Sequence, residues 1–490
     1  MAYNSLQERT ELNNIQLARL AALALLACCA CNRNPGEPEV PSGPRTGARD
    51  SLYTFTTVAH DPKLRGVCYR FDWGDGDTSD WSDWLQSDSP AGASHYWSVG
   101  GTFSIAAQAM NDEDGVSAWS GGHKLTVSFA PVTFGGTRSD AGNAVELTTD
   151  GCYIVAGFTA SYGEGRDDAW LIKVDDAGSA RWQHTIGGTG RDRANSIQQT
   201  AEPGYIVTGY TDSKGAGGYD LWLVKTGGSG NVMWDTTFGG DGNEWGNSVI
   251  QSADGGYVVA GFTGSTGAGG YDAWLVCTDD EGRLVWDRTF GGGQYDVANC
   301  VRQTRDGGYI IVGYTASQGA GGDDLWLIKT DSMGQELWNR TFGDVDTDVG
   351  NSVQQTSDGG YIIAGSLGFR GATAGDMWLI KTDSLGNRMW DRTFGGSGYD
   401  VGNSVQQTLD GGYIVAGNTD SLGAGGGDIL LVRADAAGSE VWSRTFGGIS
   451  YDAGSSVRQT ADGGYVVAGL TVSFGLNGDV WLIRTDANGR

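Results

Sequence analysis

The chain has 490 residues, of which 83 are Gly and only 8 Pro. Glycine therefore stands at about 17% against a usual ~7%, but no Gly-X-Y period accompanies it, and 18 Trp with 19 Tyr call for packed cores, which excludes collagen and low-complexity disorder. A formal charge of −27 repels phosphate backbones, so nucleic acid is excluded as a partner.

Residues 20–30 (LAALALLACCA) are the one long apolar run. It is too short for a membrane span and fits the core of a secretory signal covering residues 1–31. Within it, Leu25-Leu26-Ala27-Cys28 resembles a bacterial lipoprotein cleavage box, which implies acylation of Cys28 and a membrane attachment through lipid; plain secretion is the alternative. Residues 32–37 read as an extended tether. The cysteines lack paired spacing, so neither disulfides nor zinc sites are expected.

From 38 to 127, short β runs alternate with turn residues, as expected of a small β-sandwich. The stretch Trp73-Gly-Asp-Gly76, followed by His95-Tyr-Trp97 and Gly101-Thr-Phe-Ser-Ile105, resembles the PKD domain, an immunoglobulin-like module. That resemblance implies a spacer or binding role outside the cell. Asp72, Asp75, Asp77 and Asp80 crowd one turn; ordinary turn chemistry is preferred over a calcium site, because the spacing differs from an EF-hand. Trp81, Trp84 and Trp97 are read as core rather than as sugar-stacking residues.

The remainder, 128–490, is periodic. The anchor Phe-Gly-Gly recurs at Phe134, Ile186, Phe238, Phe290, Phe342, Phe394 and Phe446, always 52 residues apart. The fourth copy parses into strands at 299–304, 309–314, 324–330 and 337–342, separated by Asp-Gly-Gly, Gly-rich and Asp-x-x-Gly turns, which is one propeller blade's worth. No segment carries helical apolar spacing. The expected fold is all-β: a sandwich followed by a seven-bladed propeller. The segment 128–134 should pair with 479–485 and close the ring, removing its open edges. Trp recurs in the third and fourth strands as packing, and Arg288, Arg340, Arg392 and Arg444 are expected to stack on the third-strand Trp. The copies resemble β-propeller repeats of bacterial and archaeal surface proteins, through FGGxxxDxGNSVxQTxDGGYIVAG and DxWLIKTDxxGNxxW. This resemblance implies an architecture and carries over no catalytic residues.

Four histidines and no phosphate loop leave little room for catalysis. One constellation recurs: Asp140, Asp192, Glu244, Asp296, Asp348, Asp400 and Asp452, each followed three residues later by Asn (Ser455 in the last copy). These acids are candidates for a ligand ring at the channel mouth, holding Ca²⁺ or a polyol. The preferred alternative is that each caps its own loop, and no cofactor is expected. A second series, Asp168 to Asp479, opens each third strand as a loop-closing Asp. Trp245 breaks the symmetry and is the candidate exposed aromatic contact. The functional expectation is an exported, non-enzymatic binding or scaffold protein that meets a protein or glycan at the cell surface. The alternative is a lectin or carboxylate-dependent glycan-active enzyme.

Overall fold

Alternating apolar residues and glycine-rich turns give strands throughout: every regular element of the computed structural model is β, among the residues it describes, 34–48, 51–97, 100–128, 131–368 and 375–490. The signal-like segment with Cys28, and the 369–374 part of the divergent fifth loop, lie outside them. The chain divides after residue 129 into two units.

In the first unit, Thr46–Ala48, His123–Ser128, Gly101–Asn111 and Val67–Asp72 form one sheet, and Tyr53–Thr57 pairs with Ala91–His95 in another. Phe55 from the smaller sheet meets Phe71, Ile105 and Leu125 from the larger in one core. The Trp-Gly-Asp-Gly turn organises that core. Trp73 stacks between Phe71 (centroids 5.3 Å apart) and His95 (4.9 Å). Asp75 Oδ2 lies 2.8 Å from His95 Nε2 and fixes the imidazole against the indole. Gly74, at φ +77° and pressed against the Ser104 backbone, admits no side chain. Asp72 and Asp75 each accept the backbone N–H two residues on, which is turn chemistry. Trp97 is core, as expected, whereas Trp81 lies under Arg70 and Trp84 is half exposed.

Two boundaries differ from the sequence reading. Gly36 N donates to His60 O, so the tether is already docked there. Ser128 ends a strand of the first unit rather than starting the ring-closing strand, because the ladder from Gly101 runs through Val127 and the parallel partner Ala48 reaches Ser128.

The second unit holds seven four-stranded antiparallel sheets. The fourth copy shows the pattern with Asp296–Gln303, Tyr309–Thr315, Asp324–Thr330 and Glu336–Phe342 in spatial order. Second and third strands are buried on both faces, for instance throughout Asp324–Thr330, because each sheet lies between two others. The clusters are shared accordingly: Ile154, Leu171, Tyr205 and Trp222 join the first two sheets, and Ile414, Leu431, Tyr465 and Trp481 join the last two. Val155 and Ile172 of the first sheet pack with Val466, Val480 and Leu482 of the seventh, so the sequence of contacts returns to its start.

The seventh sheet takes its outer strand from the other end of the repeat region. Val132–Phe134 pairs with the third strand Asp479–Thr485 as Phe134↔Val480, Thr133↔Trp481 and Val132↔Leu482. The paired segment is shorter than the 128–134 expected, since Pro131 has no N–H to extend the ladder.

Trp in the fourth strand explains the Asp-x-x-Gly turn of the following sheet. Gly386 sits at φ +78°, and a Cβ there would lie 2.6 Å from the Trp338 ring of the preceding sheet; Gly282 and Trp234 repeat the arrangement. Gly386→Ala should therefore lower stability by about 1–3 kcal/mol, read as a fall in the denaturant midpoint; an unchanged midpoint would refute the contact. Arg288, Arg340, Arg392 and Arg444 lie over Trp286, Trp338, Trp390 and Trp442 of their own strand, at 5.3–5.6 Å, not over the third-strand Trp as expected. Residues two apart on a strand share a face, which places the guanidinium on its own neighbour.

Candidate functional site

Six of the seven recurrent acids begin the first strands and Asp348 directly precedes one, and all seven are fully buried. Each carboxylate accepts the N–H four residues before it, from Gly136 to Asp140 (3.0 Å) through Gly448 to Asp452 (2.8 Å). Hydroxyls complete the shell. Ser161 donates to Asp140, Ser213 and Thr211 to Asp192, Thr263 to Glu244, Ser317 and Thr315 to Asp296, Ser421 to Asp400, and Ser473 and Thr471 to Asp452. Asp348 takes Asp344 N and Gly368 N instead. Asp140, Asp192, Glu244, Asp296, Asp348, Asp400 and Asp452 are thus loop caps sealed from solvent, and do not form an open ligand ring. A buried carboxylate needs donors, and the Phe-Gly-Gly loop with the Thr-x-Ser segment supplies them. Among the described residues no three His, Cys, Asp or Glu side chains gather in a metal-holding group.

These acids mark the joints between sheets. Asp192 N donates to Asp167 O of the preceding sheet (2.7 Å), and the same stitch recurs at every joint, including Asp140 N to Gly478 O (2.8 Å) where the seventh sheet meets the first. Beside each stitch lies the second acidic series. A side chain at Gly187 would run into both Asp168 and Asp192, which is why the anchor requires glycine. Burial, reinforced by the charge of Asp192, pushes Asp168 up to about 6. Burial likewise raises Asp220, Asp272, Asp324, Asp376, Asp428 and Asp479. Oδ1 of Asp479 is buried without a hydrogen-bond partner.

The Asn three residues after each acid occupies the bulge of the first strand and reaches the next sheet. Asn143 Nδ2 donates to Ala194 O (2.9 Å), and five further copies repeat the bond up to Asn403 to Gly454 O. Sequence reading missed the glutamines, although the Gln-Gln-Thr repeat carried the signal. Gln199, Gln251, Gln303, Gln355, Gln407 and Gln459 each accept a loop N–H of the preceding sheet.

Trp245 is not an exposed contact. Its ring stacks on Tyr210 of the preceding sheet (4.4 Å, 18°), lies 5.4 Å from Phe262 and meets Tyr219 edge-on, and its buried Nε1 has no partner. The first-strand position after the acid points into the joint, so a large aromatic there fills space between sheets. Trp245→Ala should cost about 1–3 kcal/mol, read by chemical denaturation; an unchanged midpoint would refute the packing role.

No family model and no curated protein matches the chain. Among solved structures it is similar to the PKD domain of an M14-like peptidase from Thermoplasmatales archaeon SCGC AB-540-F20, at 30% identity over 20% of this chain and 98% of that one, TM-score 0.19. It is also similar to domains 4–9 of the surface layer protein SbsC, at 10% identity over 85% of this chain and 83% of that one, TM-score 0.11.

Proposed function

We propose that residues 131–490 form a closed seven-bladed β-propeller, carried on a PKD-like spacer, and that the protein is an exported, non-enzymatic binding or scaffold protein of the cell surface. The observation that carries this reading is the stitch of Asp140 to Gly478 together with the shared core of the first and seventh sheets. A ring whose joints are equivalent spends its recurrent acids on holding sheets together, which leaves recognition to the positions where the copies differ. The signal-like segment at residues 1–31 and the lipoprotein-like box at Cys28 support a surface address, and a spacer domain suits display away from a membrane. The glycan-active alternative needs open carboxylates and an exposed Trp245; the carboxylates are buried, and the Trp245 ring is partly buried against Tyr210 and Phe262.

Solution scattering of the purified chain should give the distance distribution of a compact disc with an attached module; an extended superhelix would overturn the propeller. Cell fractionation with Cys28→Ser should move the protein from membrane to medium, and cytoplasmic retention of the unaltered chain would overturn the address. Release of products from polysaccharides would overturn the non-enzymatic reading.

A further inference from the structure

The first strands of successive sheets contact one another around the second unit, and between them lies a cavity of about 410 Å³. One position per copy supplies much of its lining: Glu146, Gln198, Ile250, Arg302, Gln354, Gln406 and Arg458 are spaced 52 residues apart. Here the symmetry of the repeat fails. Two guanidiniums share the cavity with one carboxylate, in a chain whose overall charge is −27.

Apart from the Glu146 carboxylate, the polar lining is rich in donors. Gln198, Gln354 and Gln406 each use Oε1 to accept the backbone N–H of Gln251, Gln407 and Gln459 (2.5, 2.6 and 2.7 Å). Those bonds fix the amide orientation and leave the Nε2 groups as donors. Arg302 and Arg458 each give Nη1 to the carbonyl just before them, Val301 O and Val457 O, both at 2.8 Å. Glu146 lies 4.0 Å from Arg458. Among the described residues, Arg302 has no carboxylate within ion-pair distance. Burial lowers the pKa of Arg458; Glu146 opposes this, and the charge of Arg302 adds to it. Two like charges in a partly desolvated space, with amide N–H groups around them, are partly balanced by the single carboxylate of Glu146 and keep a net positive charge.

We propose that this channel binds a small multivalent oxyanion, an inorganic phosphate or a di- or tricarboxylate, held between Arg302 and Arg458 with the glutamine amides as additional donors. The site rests on the closed propeller, because an open array would not bring first and seventh sheets to one cavity. Charge-assisted, bidentate contacts of guanidinium to oxyanion supply the specificity. Glu146 tempers the affinity and sets the preferred ligand charge.

The test is titration calorimetry on the full chain with two probes, inorganic phosphate and citrate. At least one should bind saturably at a single site. R302Q and R458Q should each weaken binding about tenfold, the effect of losing one charged hydrogen bond, and E146Q should strengthen it. Both arginine variants should fold, since Gln already occupies the same position in three copies. A response to phosphate alone assigns an inorganic anion, and a response to citrate alone a carboxylate. Absence of saturable binding, or binding equally strong in both arginine variants, would overturn the proposal. Scattering on the same sample separates the two readings: a closed disc without binding removes only the anion site, and an open form removes both.

Discussion

Replacing the strand Val132–Phe134 with V132G, T133S and F134G should destabilise the second unit by about 2–3 kcal/mol and favour higher-mass species. Phe134 is partly buried and packs against the core shared by the first and seventh sheets, so truncating it should cost part of the about 3–5 kcal/mol lost with a fully buried Phe. Glycine at two of three positions also removes the conformational bias toward a strand. Asp479–Thr485 would then be left with an open edge beside Trp481 and Val480, and such an edge pairs with other chains. Denaturant unfolding and light scattering after size exclusion read the two effects. Unaltered stability and mass would mean that this pairing does not stabilise the second unit.

D168N should stabilise the protein at pH 7.5 by about 2–3 kcal/mol and leave it nearly unchanged at pH 4.5. Asp168 rises on folding from 3.8 to about 6, through burial first and the charge of Asp192 second. A carboxyl with a raised folded-state pKa binds its proton more readily when folded, so stability falls as pH climbs from about 4 to about 6. A shift of that size corresponds to about 3 kcal/mol at neutral pH, which the amide variant recovers. The other six Asp of the series are shifted in the same direction.

Hairpin-turn carboxylates act oppositely. The Lys173 ammonium holds Asp150 at about 2, and at Asp358 hydrogen bonds from Thr356 and Lys381 overcome burial to the same end. Their contribution is present above about pH 4 and lost as pH falls toward 2. The stability maximum should therefore lie near pH 4–5 rather than at neutrality. A D168N gain equal at both pH values would show that charge is not its source.

Much of the architecture was legible because each of its determinants is local and repeated. The Asp-Gly-Gly and Asp-x-x-Gly turns fix the hairpins, alternation of apolar residues fixes the strands, and repetition every 52 residues makes the sheets equivalent. Even the closing strand could be inferred, since one copy lacks a fourth strand and the chain before the first anchor offers one. The site was less legible. An Asp that caps a loop and an Asp that holds a ligand have the same sequence neighbours, and burial by the adjacent sheet is what separates them. Trp245 likewise reads as an outlier in a row of small residues until Tyr210 of the neighbouring sheet is seen against its face.

The sequence by itself determined an all-β chain, the seven repeats, the turn residues and the two Trp positions, because those follow from backbone preference and hydrophobic period. Only the tertiary structure decided that the acids are sealed joints, that Asn and Gln stitch one sheet to the next, and that Arg302 and Arg458 share a cavity. Those outcomes depend on contacts between residues about twenty to more than a hundred positions apart, and on how completely each joint excludes water. A repeat supplies the hydrogen-bond shell of its own acid, while the stitches, the Asn and Gln bonds and the shared cavity arise when the repeats are brought side by side.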